Sequence, residues 1–365
     1  MKTAVVHYWL VNMRGGEKVI EALLEIFPDA DIYTHVHDRK AISSLINSRK
    51  IYKSFISCLP FAKKLYKLYL PLMPAALKKF NLKKYDLVIS SEAGPAKGVI
   101  CSPQAFHICY CHSPMRYIWD MYHEYYKAAD SVTRFFMKVF TPSLRKWDVT
   151  SAGLVDRFIT NSDNIAKRIR RIYNRESEVV YVPVDIEKFT NNERNPADFY
   201  LLFGQITVYK RADIAIEACI KLKRKLVVAG SGMKKSEKIK YEKSGFIRFT
   251  GNVSDGEAVS LFSQARALLY PGIEDLGIIP IEAQAAGCPV IAYRGGGALE
   301  TVKENETGMF FDEQTSDSLI KTMVIFEQNA LNFSSRRLFT SHVQQFSKIA
   351  FREKILRVID KKERL

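Results

Sequence analysis

Short runs of β-branched and aromatic residues recur along the chain, separated by stretches in which apolar positions return every three or four residues. In the first half these runs fall at 3–9, 31–36, 87–90, 107–111, 158–161 and 179–182. In the second they fall at 200–204, 226–229, 247–250, 267–270, 290–293 and 309–311. Such alternation predicts βαβ units and mostly parallel sheets. A polar stretch at 186–198, with Asn191, Asn192, Asn195 and Pro196, interrupts the series and reads as a linker. Two doubly wound α/β domains in tandem fit this pattern better than one large sheet. The expected bounds are 1–183 for the first domain, 184–198 for the linker and 199–334 for the second domain. Residues 335–365 are expected to end in a helix that packs back on the first domain.

Composition narrows the class. With 365 residues, 47% of them hydrophobic, the chain can bury two cores. The excess of 55 Lys and Arg over 39 Asp and Glu, a net charge of +16, draws it to polyanions without choosing among them. No run reaches the roughly 18 apolar residues of a spanning helix, so membrane contact is expected to be peripheral. The opening MKTAVVHYWLVNM leads into Gly15, Gly16 and a helical pattern, not a small-residue cleavage site, so it reads as a buried first strand. Six scattered cysteines suit free thiols and a cytoplasmic location.

Several features could carry chemistry. Gly15 and Gly16 follow the first strand and precede a helix, where an anion could approach the backbone; a plain tight turn explains them equally well. In the second half, a strand runs into Gly230, Ser231 and Gly232, and another leads past Gln205 to Lys210 and Arg211 at the start of a helix. Glu274 and Glu282 flank Asp275, Leu276, Gly277, Ile278, Ile279, Pro280 and Ile281. That spacing puts one carboxylate on a loop after a strand and the other one turn into a helix, at the edge where doubly wound sheets bind ligands. Carboxylates so placed can accept hydrogen bonds from sugar hydroxyls. On spacing alone, two surface acids flanking a loop are the better reading.

The stretch EDLGIIPIEAQAAGCPVIAYRGGGALETV resembles the signature of the GT-B glycosyltransferases of family 4, in which E-x7-E precedes an A-x-G-x-P-V segment and a glycine-rich turn. FGQITVYKRADIAIEA, LVVAGSG and IRFTGNVSDGE are similar to the family's other second-domain motifs. GGEKVIEALLEIFPDADIYT, SSEAGPAKG, CHSPMRYIWD and VVYVPVDIEKF resemble bacterial O-antigen and exopolysaccharide mannosyltransferases. The resemblance implies two Rossmann-like domains facing a central cleft, the first binding acceptor and the second a nucleotide-sugar donor. It further implies retaining, metal-independent transfer without a separate cofactor. Mannose from GDP-mannose is the favoured donor, a glycan or polyprenyl-diphosphate-linked molecule the acceptor, and cell-surface polysaccharide synthesis the setting.

Position by position, the resemblance implies that Glu274 binds the hydroxyls of the donor sugar, Glu282 the ribose and Lys210 the diphosphate. The amides of Leu276, Gly277 and Ile278 would meet sugar and phosphate, Val253 the base, and Gly15 and Gly16 the phosphates from the first domain; Gly230 would let phosphate or ribose lie against its loop. His112 would face the donor sugar, joining Lys210 and Glu274 as the catalytic set. Gln205 stands where the family usually has an arginine, and Arg211 where a glycine is common. Leaving-group stabilisation is therefore expected to rest on Lys210 or Arg211.

Other signals weigh less. Asp29 and Asp31 form a D-x-D beside Pro28 that reads as a turn, and Cys101, Cys109, Cys111 and His112 lack the paired spacing of a zinc site, so no metal is expected. From residue 39 to 85 there is no Asp or Glu, and lysines alternate with aromatic and aliphatic residues. Two readings stay open for it: docking on the anionic inner face of the cell membrane, or a core-forming stretch with a solvated lysine face. The rivals for function are a GT-B sugar-nucleotide epimerase, which would act on the donor alone, and a non-catalytic basic protein on membrane or nucleic acid. No nucleic-acid-reading motif supports the last, and nucleic acid is not an expected partner.

Overall fold

The computed structural model describes residues 1–190, 193–329, 333 and 336–360. The chain divides into two compact units, Met1–Pro183 with Arg352–Leu365, and Val184–Phe351.

The first unit is built on β1 (Thr3–His7), β2 (Asp31–Thr34), β3 (Ile51–Lys53), β4 (Leu87–Glu92), β5 (Phe106–Cys111), β6 (Arg157–Thr160) and β7 (Ser177–Val179). Their order across the sheet is β3-β2-β1-β4-β5-β6-β7, and every pair is parallel. The second unit holds β8 (Tyr200–Phe203), β9 (Leu226–Ala229), β10 (Ile247–Gly251), β11 (Leu268–Tyr270), β12 (Val290–Tyr293) and β13 (Gly308–Phe311), again all parallel, in the order β10-β9-β8-β11-β12-β13. Both sheets reverse direction beside their first strand, between β1 and β4 and between β8 and β11. Diverging loops at such a point leave a crevice at the carboxyl edge. The central strands β1, β4 and β5 are buried along their whole length, because helices cover both faces. Cys109 and Cys111 sit in that core against Phe158, Ile165 and Ile169.

Three expectations change. β3 lies inside the basic stretch, a three-residue edge strand with no apolar run to announce it. The 184–198 segment is fastened to the second unit: Val184 N donates to Phe346 O, Ala197 N donates to Gln264 O, and Phe189 is buried beside Phe262. Asn191 and Asn192 lie outside the described residues. The return to the first unit comes at Arg352, not 335, since the Arg336–Val343 helix carries Phe339 into the second unit's core. Beyond it, within the first unit, Arg157 Nη1 donates to Val358 O and Lys354 Nζ lies over the Tyr181 ring.

The basic stretch alternates between inside and outside. Ile56, Ala62, Met73 and Ala76 form a small core, whereas Phe61, Leu65, Leu68 and Leu72 are exposed beside Lys63, Lys64 and Lys67. Among the described residues no helix is long and apolar enough to cross a membrane.

One buried charge network fixes the first unit's interior. Lys97 Nζ donates to Glu92 Oε1 at 2.7 Å, to Asp148 Oδ1 and to Tyr173 Oη at 3.3 Å. Trp119 Nε1 and Tyr173 Oη both donate to Asp148 Oδ2, and the Ala96 and Lys97 amides donate to Glu92 Oε2. All three charges are fully buried, so each is tolerable only with its partners in place. Lys97→Met would leave two carboxylates facing each other without a cation. We expect it to cost about 3–5 kcal/mol in urea unfolding, whereas a loss under 1 kcal/mol would show that the network does not hold the unit together.

Candidate functional site

In the second unit the loops leaving β8, β9 and β10 are laced by backbone hydrogen bonds. Gly204 N donates to Ala229 O, Ile206 N to Ser231 O, and Gly230 N to Gly251 O, at 2.7–2.8 Å. Gly230 has φ +139°, and a Cβ there would lie 1.9 Å from Gly204 O, so only glycine lets these loops close. The β8 loop ends in the turn Val208–Lys210 and presses on the β11 loop, where a Cβ at Gly272 would meet Lys210 Cα at 2.7 Å. This contact sets the position of Lys210.

Glu274 is bracketed from the other side. Gly297 N donates to Glu274 O at 2.8 Å, and a Cβ at Gly296 would strike that same oxygen at 2.5 Å. Lys210 Nζ and Glu274 Oε1 are 2.8 Å apart and both half-buried. The contact is an ion pair without good hydrogen-bond alignment, since Glu274 Oε1 has no hydrogen-bond partner among the protein's own atoms. Tyr270 Oη is buried beside it, and burial, then the charge and hydrogen bonding of Glu274, push its pKa well up.

Gly277, at φ +88°, opens the Ile278–Ala285 helix. The first-turn amides of a helix have no intrahelical acceptor and carry the positive end of its dipole. Leu276 and Gly277 are buried at this end, and Glu282 is half-buried further along the same helix. The carboxyl edge of this sheet therefore gathers Gln205, Lys210, Gly230, Glu274, Leu276, Gly277, Ile278 and Glu282. Val253 is half-buried at the end of β10's loop, just before Ser254 caps the next helix. Arg211, at φ +50°, turns its guanidinium onto Asp213, at 2.9–3.1 Å, and Gln314. Lys210 is the cation that meets Glu274.

In the first unit, Gly15 and Gly16 open the Gly15–Ile26 helix. A Cβ at Gly16 would lie 3.2 Å from Tyr8 Oη, 3.4 Å from His7 Cε1 and 3.7 Å from His112 Nε2, so the glycine marks a close approach and not merely a turn. Parallel register sets His7 opposite Ser91. Ser91 Oγ then bridges two rings, 3.1 Å from His7 Nδ1 and 2.8 Å from His112 Nε2. Glu17 Oε1 faces His7 Nε2 at 3.7 Å, while Glu17 Oε2 accepts from Arg14 N.

The proton order in this chain follows from its ends. Ser91 has one proton, so one ring donates to it and the other accepts. The Glu17 carboxylate favours a proton on His7 Nε2, which makes His7 Nδ1 the acceptor and His112 Nε2 the donor. His112 Nδ1 is left as an acceptor. Burial raises the Glu17 carboxyl, but the neighbouring His7 ring and the Arg14 amide outweigh it and hold the pKa below the usual range. His112 is pulled down to about 3 by burial, then by His7 and Arg116, so it is neutral at neutral pH. His7, Ser91 and Glu17 were not among the sequence candidates. A histidine and a serine at the carboxyl ends of neighbouring strands are their only trace.

The model for "Glycosyltransferase Family 4" matches residues 13–188 and that for "Glycosyl transferases group 1" matches 184–339. The chain belongs to glycosyltransferase family 4. This family 4 chain is 29% identical over 190 residues to the D-inositol 3-phosphate glycosyltransferase of Streptomyces bingchenggensis, covering 43% of this chain and 42% of that one. It is 39% identical over 79 residues to the GDP-mannose-dependent alpha-(1-6)-phosphatidylinositol monomannoside mannosyltransferase of Mycobacterium tuberculosis, 20% of each chain. The chain spans less than half the length of these curated relatives. Among solved structures, Anabaena HepE in complex with UDP aligns over 99% of this chain and 100% of its own, with TM-score 0.69 and 16% identity, and shares the GT-B fold.

The buried histidines make acid stability a test of this arrangement. His112 stays neutral in the folded family 4 chain down to about pH 3, and His35 and His107, both buried, to about 4. In the unfolded chain they take up protons near ~6.5. Between these values the unfolded state binds more protons, so stability falls as pH drops from about 6.5, by ~1.4 kcal/mol per pH unit for each histidine. Urea midpoints in that window should show this slope, and His112→Asn should make it shallower by one histidine's share. An unchanged slope would mean that His112 is not held neutral.

Proposed function

We propose that the chain transfers a sugar from a nucleotide donor bound by the second unit to an acceptor hydroxyl bound by the first. The favoured reaction moves mannose from GDP-mannose, with retention and without a metal, to a lipid-linked or oligosaccharide acceptor in cell-surface polysaccharide synthesis. The observation that carries this reading is the Lys210–Glu274 pair at 2.8 Å, beside a helix whose first-turn amides point to the same edge.

As the nucleoside diphosphate leaves, negative charge grows on its β-phosphate. Lys210 would turn from Glu274 onto that phosphate, joined by the amides of Gly277 and Ile278, whose fixed orientation stabilises the charge. Glu274, released from the ammonium, would accept hydrogen bonds from the sugar hydroxyls and so fix the ring. Glu282 would hold the ribose and Val253 the base. Neutral His112, with Nδ1 free to accept, would orient a sugar or acceptor hydroxyl. The name of the mycobacterial relative supports the guanine nucleotide, whereas the HepE complex holds UDP, so the base is put to trial.

A thermal-shift panel of GDP-, UDP- and ADP-sugars decides the donor, because a ligand at about 100 times its Kd stabilises by roughly 2.7 kcal/mol. GDP-mannose should raise the Tm by about 5 °C or more, and Glu282→Ala should abolish the rise. No rise with any sugar nucleotide would remove the transferase reading. Peripheral binding to the inner membrane face would use the exposed lysines of the basic stretch. Charge reversal at Lys63, Lys64 and Lys67 should then weaken sedimentation with anionic liposomes at least tenfold, and unchanged sedimentation would reject that surface.

A further inference from the structure

The first unit carries a recess of about 500 Å³ that none of the roles assigned above uses. Its volume is within the range of small-molecule sites, roughly 300–1,000 Å³. Tyr33 on β2, Tyr52 on β3, and Asn81, Lys83 and Lys84 on the segment leading into β4 line it. Parallel register sets Tyr33 opposite Tyr52, and β3 is the last strand on that side of the sheet. Asp31 begins β2 and Lys50 immediately precedes β3, so the recess lies toward the amino edge. His7, Ser91 and His112 are at the other end of the strands.

Its floor is held by the fold itself. The Tyr33 and Tyr52 rings stack with centroids 4.6 Å apart and planes 14° from parallel, and Phe80 meets the Tyr33 ring edge-on at 5.1 Å. Tyr85 Oη donates to Asp31 Oδ2, so the proton between Tyr33 Oη and Tyr85 Oη, 3.0 Å apart, comes from Tyr33. Tyr33 and Tyr85 are buried and Tyr52 is half-buried, whereas Asn81, Lys83 and Lys84 are exposed. A fixed aromatic floor thus carries an exposed polar rim.

The rim holds more cations than the protein answers. Lys84 Nζ pairs with Asp31 Oδ2 at 3.0 Å. Lys50 and Lys84 also lie 5.2 and 5.7 Å from the centroid of the same Tyr52 ring. Neither Lys50 nor Lys83 has a carboxylate within ion-pairing distance among the described residues. Ammoniums gathered at one ring repel each other, and a single carboxylate offsets only one of the three lysines. An anion seated in the recess would relieve that repulsion.

We infer that this recess binds an acidic sugar unit of a glycan, with its carboxylate among the Lys50, Lys83 and Lys84 ammoniums and its ring against Tyr52. The inference rests on the transferase reading only for the source of the glycan, a chain under extension held at the amino edge, away from the reacting one. Charge alone would admit inorganic phosphate, but phosphate makes no use of the tyrosines. A nucleotide base would need an open ring face, and Tyr52 already has Tyr33 stacked on it and two ammoniums beside it. A pyranose asks less. Its C–H groups pack against the exposed part of the ring, and its hydroxyls accept from the ammoniums and donate to the Asn81 side-chain oxygen.

The test is calorimetric titration of the full chain, without donor, using trigalacturonate, neutral maltotriose, GMP and inorganic phosphate. A charge-assisted hydrogen bond contributes roughly 10- to 100-fold, so trigalacturonate should bind at least tenfold more tightly than maltotriose. The double variant Lys50→Gln with Lys83→Gln should weaken trigalacturonate at least tenfold, whereas Lys50→Arg with Lys83→Arg should keep it within about threefold. Tyr52→Leu should weaken it at least tenfold with all three lysines in place. If Tyr52→Leu fails to fold, saturation-transfer NMR on the wild type replaces it: irradiating the aromatic protons should transfer saturation to the sugar-ring protons.

No binding of trigalacturonate, or equal binding of maltotriose, would overturn the inference. So would GMP or inorganic phosphate binding as tightly as trigalacturonate, or an affinity that the lysine-to-glutamine variant leaves unchanged. Because no donor is present, the two readings separate. Binding of the acidic glycan with no thermal shift from any sugar nucleotide would uphold the recess and remove the transferase reading, while a donor shift without glycan binding would remove the recess alone.

Discussion

Parallel pairing of every strand is the constraint on which the rest depends. It sends all loops that follow strands to one edge of each sheet, and the reversal of strand order beside β1 and β8 opens a crevice there. What fills each crevice differs. In the second unit the loops are bound to one another through backbone contacts that only glycine permits, and their closure brings an ammonium and a carboxylate together. In the first unit, register sets His7 against Ser91, and a serine hydroxyl then joins two imidazoles. Under the proposed function, one edge takes the sugar nucleotide and the other the acceptor hydroxyl.

The contrast between satisfied and unsatisfied buried polar groups points to the same places. Lys97, Glu92 and Asp148 lie deep in the first unit, and each finds its partners within the protein; that network belongs to the fold. Glu274 Oε1, at the second unit's carboxyl edge where a ligand is proposed, is buried without a hydrogen bond. A buried polar atom without a partner costs about 1–3 kcal/mol. A bound ligand that supplies the missing partner recovers that cost.

Much of the fold was legible in the sequence because strands buried on both faces must be written as continuous apolar runs. β1, β4, β8 and β12 stand out for that reason. β3 did not, since Ile51–Lys53 is a half-buried edge strand inside a lysine-rich stretch. The 184–198 segment looked like a linker by composition, but its attachment uses backbone groups at Val184 and Ala197 that no side-chain pattern reveals. Of the site, Glu274, Glu282, Lys210 and the glycines were visible through their spacing and family resemblance. The Ser91 bridge was not, because His7 and Ser91 are 84 residues apart and only sheet register unites them. The direction of the Arg211 side chain was not legible either, because a left-handed backbone and Asp213 two residues on set it.

The central claim is that Lys210 exchanges Glu274 for the donor's diphosphate. Calorimetric titration of GDP into Glu274→Gln and into the double variant Glu274→Gln with Lys210→Met tests it most directly, because the freed carboxylate cannot then repel the ligand. A charge-assisted hydrogen bond contributes about 1.5–3 kcal/mol, so the account predicts that losing Lys210 weakens GDP roughly 10- to 100-fold. Equal affinity in the two variants would contradict it.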